Sequence, residues 1–137
     1  MAALTLFWLP TTYAQDYQLK PFYTDGRSVF PDGTWRDGDL WRDCCLRHDY
    51  DYWKGGTEAE RKASDQALKQ CVTKLGEDTV AELMLAGVRA GGSPYFPTSY
   101  RWGYGWPLGR GYKALTEDEQ QQVKALSQQL PFILLSD

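Results

Sequence analysis

The chain has a single histidine, His48, which lies among residues that could support acid–base chemistry. If this part of the chain is a helix, His48 and Tyr52 share one face because they are four residues apart, whereas Asp49 is rotated from His48 by about 100°. His48 could then face a reacting centre as a base while Asp49 faces a cation beside it. A mechanism that needs two imidazoles is excluded, since the chain has only one histidine.

A pair of helices is predicted to hold these residues in place. Apolar residues at i, i+4 and i+8 spacing predict a first helix over about 38–53, and a capping box at 57–60 begins a second helix that extends to Leu75. The short link between them predicts an antiparallel hairpin, in which the second helix passes His48 near Asp65. A hydrogen bond from Asp65 to one nitrogen of His48 would leave the other nitrogen able to accept a proton, as in hydrolases that orient their base.

The remainder of the chain predicts further helices and long loops. Residues 15–37 are rich in Asp, Gly, Pro and aromatics without helical periodicity, and we expect a loop there. A third helix is predicted over 78–90, and a second capping box begins a fourth over about 117–129. Residues 91–113, with seven aromatics and six glycines, predict a long loop between these helices. The fold class is therefore all-α, with one domain over 15–137.

Composition and charge narrow the class of partner. The chain has 137 residues and a net charge of −3, so it has no overall attraction to nucleic acid. No run of about 18 apolar residues is present, which argues against a transmembrane span. Residues 2–9 are apolar, and small residues follow at positions 12 and 14, which favours a signal peptide over 1–14; the alternative is an ordinary apolar helix or strand, since a basic start is missing. Export would allow the cysteines to oxidise.

The cysteines extend the cluster into a longer motif. The chain contains Cys-Cys-x-x-His-Asp-x-x-Tyr and, on the next predicted helix, Asp followed six residues later by Cys. This motif resembles that of the secreted phospholipase A2 family, over about residues 22–75. The resemblance implies an antiparallel pair of disulfide-linked helices with a calcium loop upstream, to which this chain adds C-terminal helices. The matching residues are Cys44, Cys45, His48, Asp49, Tyr52, Asp65 and Cys71.

The resemblance implies a role for each polar residue of the motif. His48 would be the general base that activates a water molecule, Asp65 would fix its tautomer, and Tyr52 would hydrogen-bond Asp65. Asp49 would bind a calcium ion with both carboxylate oxygens. His48, Asp65 and Tyr52 are therefore the candidate catalytic residues.

The family's other calcium ligands are mainly backbone carbonyls of a glycine-rich loop, and residues 25–30 occupy that place. Calcium prefers several oxygen ligands, so carbonyls combined with a carboxylate suit it chemically. Arg27 stands where the family has a cysteine, and Gly26 is the only glycine of the segment. The expected ligands are Asp49 and the carbonyl oxygens of Gly26, Ser28 and Phe30.

The function implied by the resemblance is calcium-dependent hydrolysis of the sn-2 acyl ester of glycerophospholipids by a secreted or periplasmic enzyme. The expected partner is a phospholipid or a membrane surface. Arg27 and the glycine-poor loop favour a second hypothesis, in which the same fold binds lipid or protein without turnover.

The cysteine pairing is also implied by the resemblance. In an antiparallel hairpin, both Cys44 and Cys45 come to a height similar to that of Cys71. The family pairs the first of its tandem cysteines with the position of Cys71, which implies a Cys44–Cys71 disulfide. Cys45 should remain a buried thiol, because Arg27 occupies the position of its family partner. Asp51 replaces a further family cysteine.

Structural interpretations stand beside these functional ones. A lone histidine on an amphipathic helix is most often a hydrogen-bonded structural residue, and the matching spacing of its neighbours is what favours catalysis here. The cysteines and His48 could also be zinc ligands, but adjacent cysteines diverge by about 100° on a helix and depart from the usual Cys-x2-4-Cys spacing. Residues 91–113 could contact an anionic lipid surface through aromatics and cations, or form a self-packed loop over the hairpin.

Overall fold

The computed structural model of the chain describes residues 17–24 and 40–130, and these ranges contain four helices and no strand. The all-α class is thereby confirmed for the described residues. None of the described helices is long and apolar enough to cross a membrane. The signal-peptide prediction for 1–14 lies outside the described residues. The helices are α1 (Arg42–Lys54), α2 (Glu58–Lys74), α3 (Asp78–Gly91) and α4 (Glu117–Ser127).

The helix boundaries follow local sequence signals. Both predicted capping boxes are present, with Thr57 and Glu60 at the start of α2 and Thr116 and Glu119 at the start of α4. In each, the threonine hydroxyl accepts from the N3 backbone amide while the glutamate accepts from the N-cap amide. α1 begins at Arg42, later than the predicted start near residue 38. The apolar residues Leu40 and Trp41 continue the pattern that predicted the earlier start, but they lie in the turn before the helix.

The first two helices are antiparallel, as the order of their contacts shows. Residue 44 pairs with 71, residue 48 with 65, and residue 52 with 61, so one helix rises in number as the other falls. Gly55, in the link between α1 and α2, has a φ of 68°, a backbone conformation that residues other than glycine rarely adopt. An added Cβ there would lie 3.0 Å from the Cα of Gly103, so the link also packs closely against the long loop.

A disulfide joins the two helices of the hairpin at one end, and an apolar core packs this end against α3. Cys44 and Cys71 form the predicted disulfide between α1 and α2, with a Cα–Cα distance of 5.8 Å. Cys45 is outside any disulfide, as expected, but half-buried rather than buried. The surrounding core contains Trp41, Leu68, Val72, Ala81 and Met84.

The long loop closes the other end of the hairpin by supplying hydrogen-bond donors to the last carbonyls of α1. These carbonyls lack partners within the helix and are costly to bury unpaired. The amides of Gly103 and Gly105 donate to the carbonyls of Tyr52 and Trp53 at 2.6 and 3.2 Å. Trp106 donates its indole N–H to the Lys54 carbonyl at 2.8 Å.

Of the two interpretations of residues 91–113, the contacts favour the self-packed loop. Trp102 and Trp106 are fully buried, and Trp106 shares a core with Leu19, Trp53 and Val123. Two of the loop's three cations also bind within the protein, whereas Lys113 is exposed. Arg110 pairs with Glu119 at 2.9 Å, and Arg101 donates to the carbonyls of Gly103 and Trp106 at 2.9 and 2.7 Å.

Candidate active site

His48 and Asp65 meet at the contact between α1 and α2. Nε2 of His48 lies 2.8 Å from Oδ1 of Asp65, and the two residues are 7% and 0% exposed. The rings of His48 and Tyr52 lie face to face at a tilt, with centroids 4.3 Å apart, because the residues are one helical turn apart on α1. The structure therefore brings together the three residues that the sequence selects as catalytic candidates.

Asp65 is held as a carboxylate. Burial alone would raise the pKa of Asp65, but its hydrogen bonds with His48 and Tyr52 outweigh burial and hold this pKa below its usual range. A carboxylate can only accept hydrogen bonds, so the proton between the two residues must be on Nε2 of His48. The lone pair of the neutral ring is then on Nδ1, for which the described residues provide no hydrogen-bond partner. This is the tautomer that a general base requires.

Tyr52 reinforces the same oxygen of Asp65. Its hydroxyl donates to Oδ1 at 2.6 Å and accepts from Nε of Arg61 at 3.0 Å. Burial and, after it, the negative charge of Asp65 raise the pKa of Tyr52 well above its ordinary range. The hydroxyl therefore keeps its proton and remains a donor to Asp65.

Two arginines at this site are absent from the sequence-based candidates. Arg89, on α3, donates from Nε to Oδ2 of Asp65 at 2.6 Å. Arg61 lies one turn before Asp65 on α2, with its Nε 3.9 Å from the same oxygen. The i, i+4 spacing of Arg61 and Asp65 was a signal that could have revealed the first arginine. Nothing local in the sequence relates Arg89 to Asp65, because their contact depends on how α3 packs against α2.

Asp49 contacts Thr24, the last described residue before the predicted calcium-loop segment in the sequence. Its side chain is 9% exposed, and Thr24 donates its hydroxyl to Oδ2 at 2.6 Å. The backbone carbonyl of Asp49 accepts from the hydroxyl of Tyr104 at 3.2 Å, and the same hydroxyl lies 2.9 Å from the Tyr23 carbonyl. Hydrogen bonds thus connect residues 17–24 to α1 at Asp49, directly and through Tyr104.

The remaining predicted calcium ligands, Gly26, Ser28 and Phe30, lie outside the described residues. Within the described ranges, no three His, Cys, Asp or Glu side chains group in a way that could hold a metal ion. Asp49 is nevertheless a suitable donor for calcium, because it is a buried carboxylate on the side of α1 that residue 24 contacts. The zinc interpretation does not hold, since Cys44 and Cys71 are joined in a disulfide and cannot be thiolate ligands.

A scan of protein-family models and searches of curated proteins and of solved structures give no match to this chain. A neutral imidazole with one nitrogen bound to a buried carboxylate and the other holding a lone pair can remove a proton from water or from a hydroxyl group.

Proposed function

We propose that the protein is a calcium-dependent hydrolase similar to the secreted phospholipases A2, acting on the sn-2 acyl ester of glycerophospholipids. The observation that carries the proposal is the contact of His48 Nε2 with Asp65 Oδ1 at 2.8 Å, which leaves Nδ1 to accept a proton. The resemblance of the motif in sequence supplies the substrate class, and the Cys44–Cys71 disulfide supports an oxidising location outside the cell or in the periplasm.

The proposed reaction needs one base that later serves as an acid. Nδ1 of His48 removes a proton from a water molecule while the water oxygen attacks the ester carbonyl carbon. The imidazolium that forms is stabilised by Asp65 through the Nε2–H hydrogen bond. As the bond from carbonyl carbon to alkoxy oxygen breaks, the imidazolium returns the proton to the leaving oxygen, which gives a fatty acid and a lysophospholipid.

A calcium ion would be held by Asp49 together with the backbone carbonyls of Gly26, Ser28 and Phe30. When bound, it would polarise the ester carbonyl and stabilise the negative charge that develops on its oxygen. Asp49 is suited to this task because it follows His48 directly on α1, so base and metal ligand are fixed by the same helical turn.

The test is release of fatty acid from mixed phospholipid micelles by the purified protein in millimolar calcium. His48→Gln should reduce the rate by at least about 10²–10⁴-fold, the usual contribution of a general base. Asp49→Lys should remove activity and calcium dependence together. Asp51→Asn is the matched control, since Asp51 is a partly exposed acid on the same helix.

Each outcome bears on a specific part of the proposal. Absence of fatty acid release from any phospholipid in calcium would contradict the enzymatic function. Activity that persists in Asp49→Lys would show that the metal role is misassigned. Loss of activity in Asp51→Asn equal to that in Asp49→Lys would show that the assay reports damage to α1 rather than chemistry.

A lipid- or protein-binding module without turnover is the second candidate, favoured by Arg27 and by the single glycine in residues 25–30. Calorimetric titration separates the two functions. A module predicts no heat of calcium binding and unaltered binding of phospholipid vesicles in His48→Gln, whereas the enzyme predicts calcium binding that Asp49→Lys abolishes.

A further inference from the structure

The two carboxylate oxygens of Asp65 have different partners. Oδ1 receives His48 Nε2 at 2.8 Å and the Tyr52 hydroxyl at 2.6 Å, so it serves the proposed catalytic dyad. Oδ2 receives Arg89 Nε at 2.6 Å. Because rotation about the Cβ–Cγ bond of an aspartate has a shallow energy profile, a strong contact at one oxygen decides where the other one points.

Two arginines form hydrogen bonds in opposite directions between α2 and α3, and one of them brings Arg89 to Asp65. Arg61 of α2 donates from its terminal nitrogen to the carbonyls of Val88 and Arg89, at 2.8 and 3.1 Å, in the last turn of α3. The Val88 carbonyl also accepts from the Gly92 amide at 3.0 Å, so Arg61 adds a side-chain donor to the backbone cap at the end of α3. The side chain of Arg89 returns in the opposite direction, to Asp65 on α2.

The chemistry of the arginine head group suits this task. A guanidinium keeps its charge at all relevant pH values and presents its N–H groups in a rigid plane, so little conformational entropy is lost for each hydrogen bond. Asp65 is fully buried, whereas about a third of the Arg89 side chain (36%) remains exposed. The carboxylate is thus anchored from the surface of α3 and not only by groups within the hairpin.

We propose that Arg89 is a positioning residue of the dyad, which holds the Asp65 carboxylate through Oδ2 so that Oδ1 stays aligned with Nε2 of His48. Its kinetic consequence rests on the proposed function, but its structural consequence does not. Removing Arg89 should leave the helices in place and allow the carboxylate to rotate. The ring of His48 would then lose its fixed tautomer and orientation.

A second ion pair between the same two helices provides a matched control. Lys69 of α2 and Glu82 of α3 lie 2.7 Å apart, and neither is among the partners of the Asp65 carboxylate. Glu82→Gln therefore removes an α2–α3 ion pair without changing the partners of the carboxylate. The comparison distinguishes positioning of Asp65 from general support of helix packing.

The first experiment uses the single histidine of the chain, whose imidazole signals in a ¹H–¹⁵N spectrum need no assignment among several. In the wild type, the Nε2–H proton should be visible and exchange slowly with water at a fixed pH, because it is hydrogen-bonded to the buried Asp65 carboxylate. In Arg89→Gln it should exchange at least about tenfold faster or disappear. In Glu82→Gln it should be unchanged, and in Arg89→Lys it should be partly restored.

The second experiment is kinetic. Arg89→Gln should lower kcat by about 10–100-fold with little change in KM, because a misplaced base affects the transition state more than binding of the lipid. Arg89→Lys should recover part of the loss. If Arg89→Gln does not fold, the comparison of Arg89→Lys with the wild type still decides, since a lysine cannot reproduce the planar contact.

The two proposals can fail separately. Slow exchange of the Nε2–H proton in both arginine variants, equal to that of Glu82→Gln, would overturn the positioning role even in an active enzyme. If the wild-type protein releases no fatty acid but the Nε2–H proton exchanges faster in Arg89→Gln, the positioning role is supported and the proposed hydrolysis is refuted.

Discussion

Tyr52 donates its hydroxyl at 2.6 Å to Asp65 Oδ1, the same oxygen that receives His48, and both residues are buried. Tyr52→Phe should therefore cost about 1.5–3 kcal/mol in the free energy of unfolding, the range for a hydrogen bond to a charged group. The substitution also leaves Arg61 Nε without the oxygen that it now donates to at 3.0 Å. Urea denaturation measures the difference.

Tyr50→Phe is the control for this prediction. Its hydroxyl lies on the same helix and hydrogen-bonds the neutral Ser127 hydroxyl at 2.9 Å. The expected loss is about 0.5–1.5 kcal/mol, because neither partner is charged. Equal losses in the two variants would mean that the charge of Asp65 adds nothing to its hydrogen bond with Tyr52.

Glu119 should make the protein sensitive to acid. Burial alone would raise the pKa of Glu119, but Arg110 and the Thr116 backbone amide lower it to about 2. Because the folded pKa lies below the unfolded value, protons favour the unfolded chain, so this stabilisation is complete above about pH 5 and is lost as pH falls toward 2. Glu119→Gln should flatten the fall of Tm with pH in that window.

The same variant should be less stable at neutral pH, since it leaves Arg110 buried and without its carboxylate partner. Breaking a buried pair from one side typically costs about 3–5 kcal/mol. Glu60→Gln is the matched control, because Glu60 has the same N3 position in the capping box of α2 but is exposed. An acid profile of Glu119→Gln that parallels the wild type would contradict the role of this pair.

The parts of the site that the sequence predicted depend on local signals. The capping box at Thr57 sets where α2 begins, and the three-residue link between α1 and α2 makes the two helices antiparallel. Once the register is set at the link, helical geometry alone brings Asp65 to His48 and residue 71 near residue 44. The choice of Cys44 over Cys45 then came from the family resemblance.

The parts that were missed depend on tertiary packing. Arg89 is absent from the sequence-based candidates, although its guanidinium binds Asp65. The sequence left open whether the aromatics of residues 91–113 face lipid or pack on the hairpin; Trp106 is buried, and its indole donates to the Lys54 carbonyl at the end of α1. Neither contact is visible in a sequence until the neighbouring helix ends have been placed.

The Cys44–Cys71 disulfide should contribute about 2–4 kcal/mol to stability, as is typical of a bridge that joins residues 27 positions apart. Replacing both cysteines by serine should lower the free energy of unfolding by that amount. Cys45→Ser, one residue away, is the control and should change stability much less. Peptide mapping without reduction should recover the Cys44–Cys71 link; a Cys45–Cys71 link would mean that the register of α1 and α2 is different.

Gly92→Ala should disturb the site through space rather than through backbone conformation. The φ of Gly92 is −93°, which alanine adopts readily, but its Cβ would lie 2.7 Å from Cε1 of Tyr52 and 2.6 Å from the Val88 carbonyl oxygen. We expect a loss of about 1–3 kcal/mol from overpacking, with faster exchange of the His48 Nε2–H proton as Tyr52 is displaced. Gly76→Ala is the contrasting variant, because its φ of 84° strains an alanine by about 1–2 kcal/mol although no atom lies within 4 Å. Similar stability losses are thus expected in both variants, and only Gly92→Ala should alter the His48 signal; an altered signal in Gly76→Ala would show that the site responds to stability rather than to contact with Tyr52.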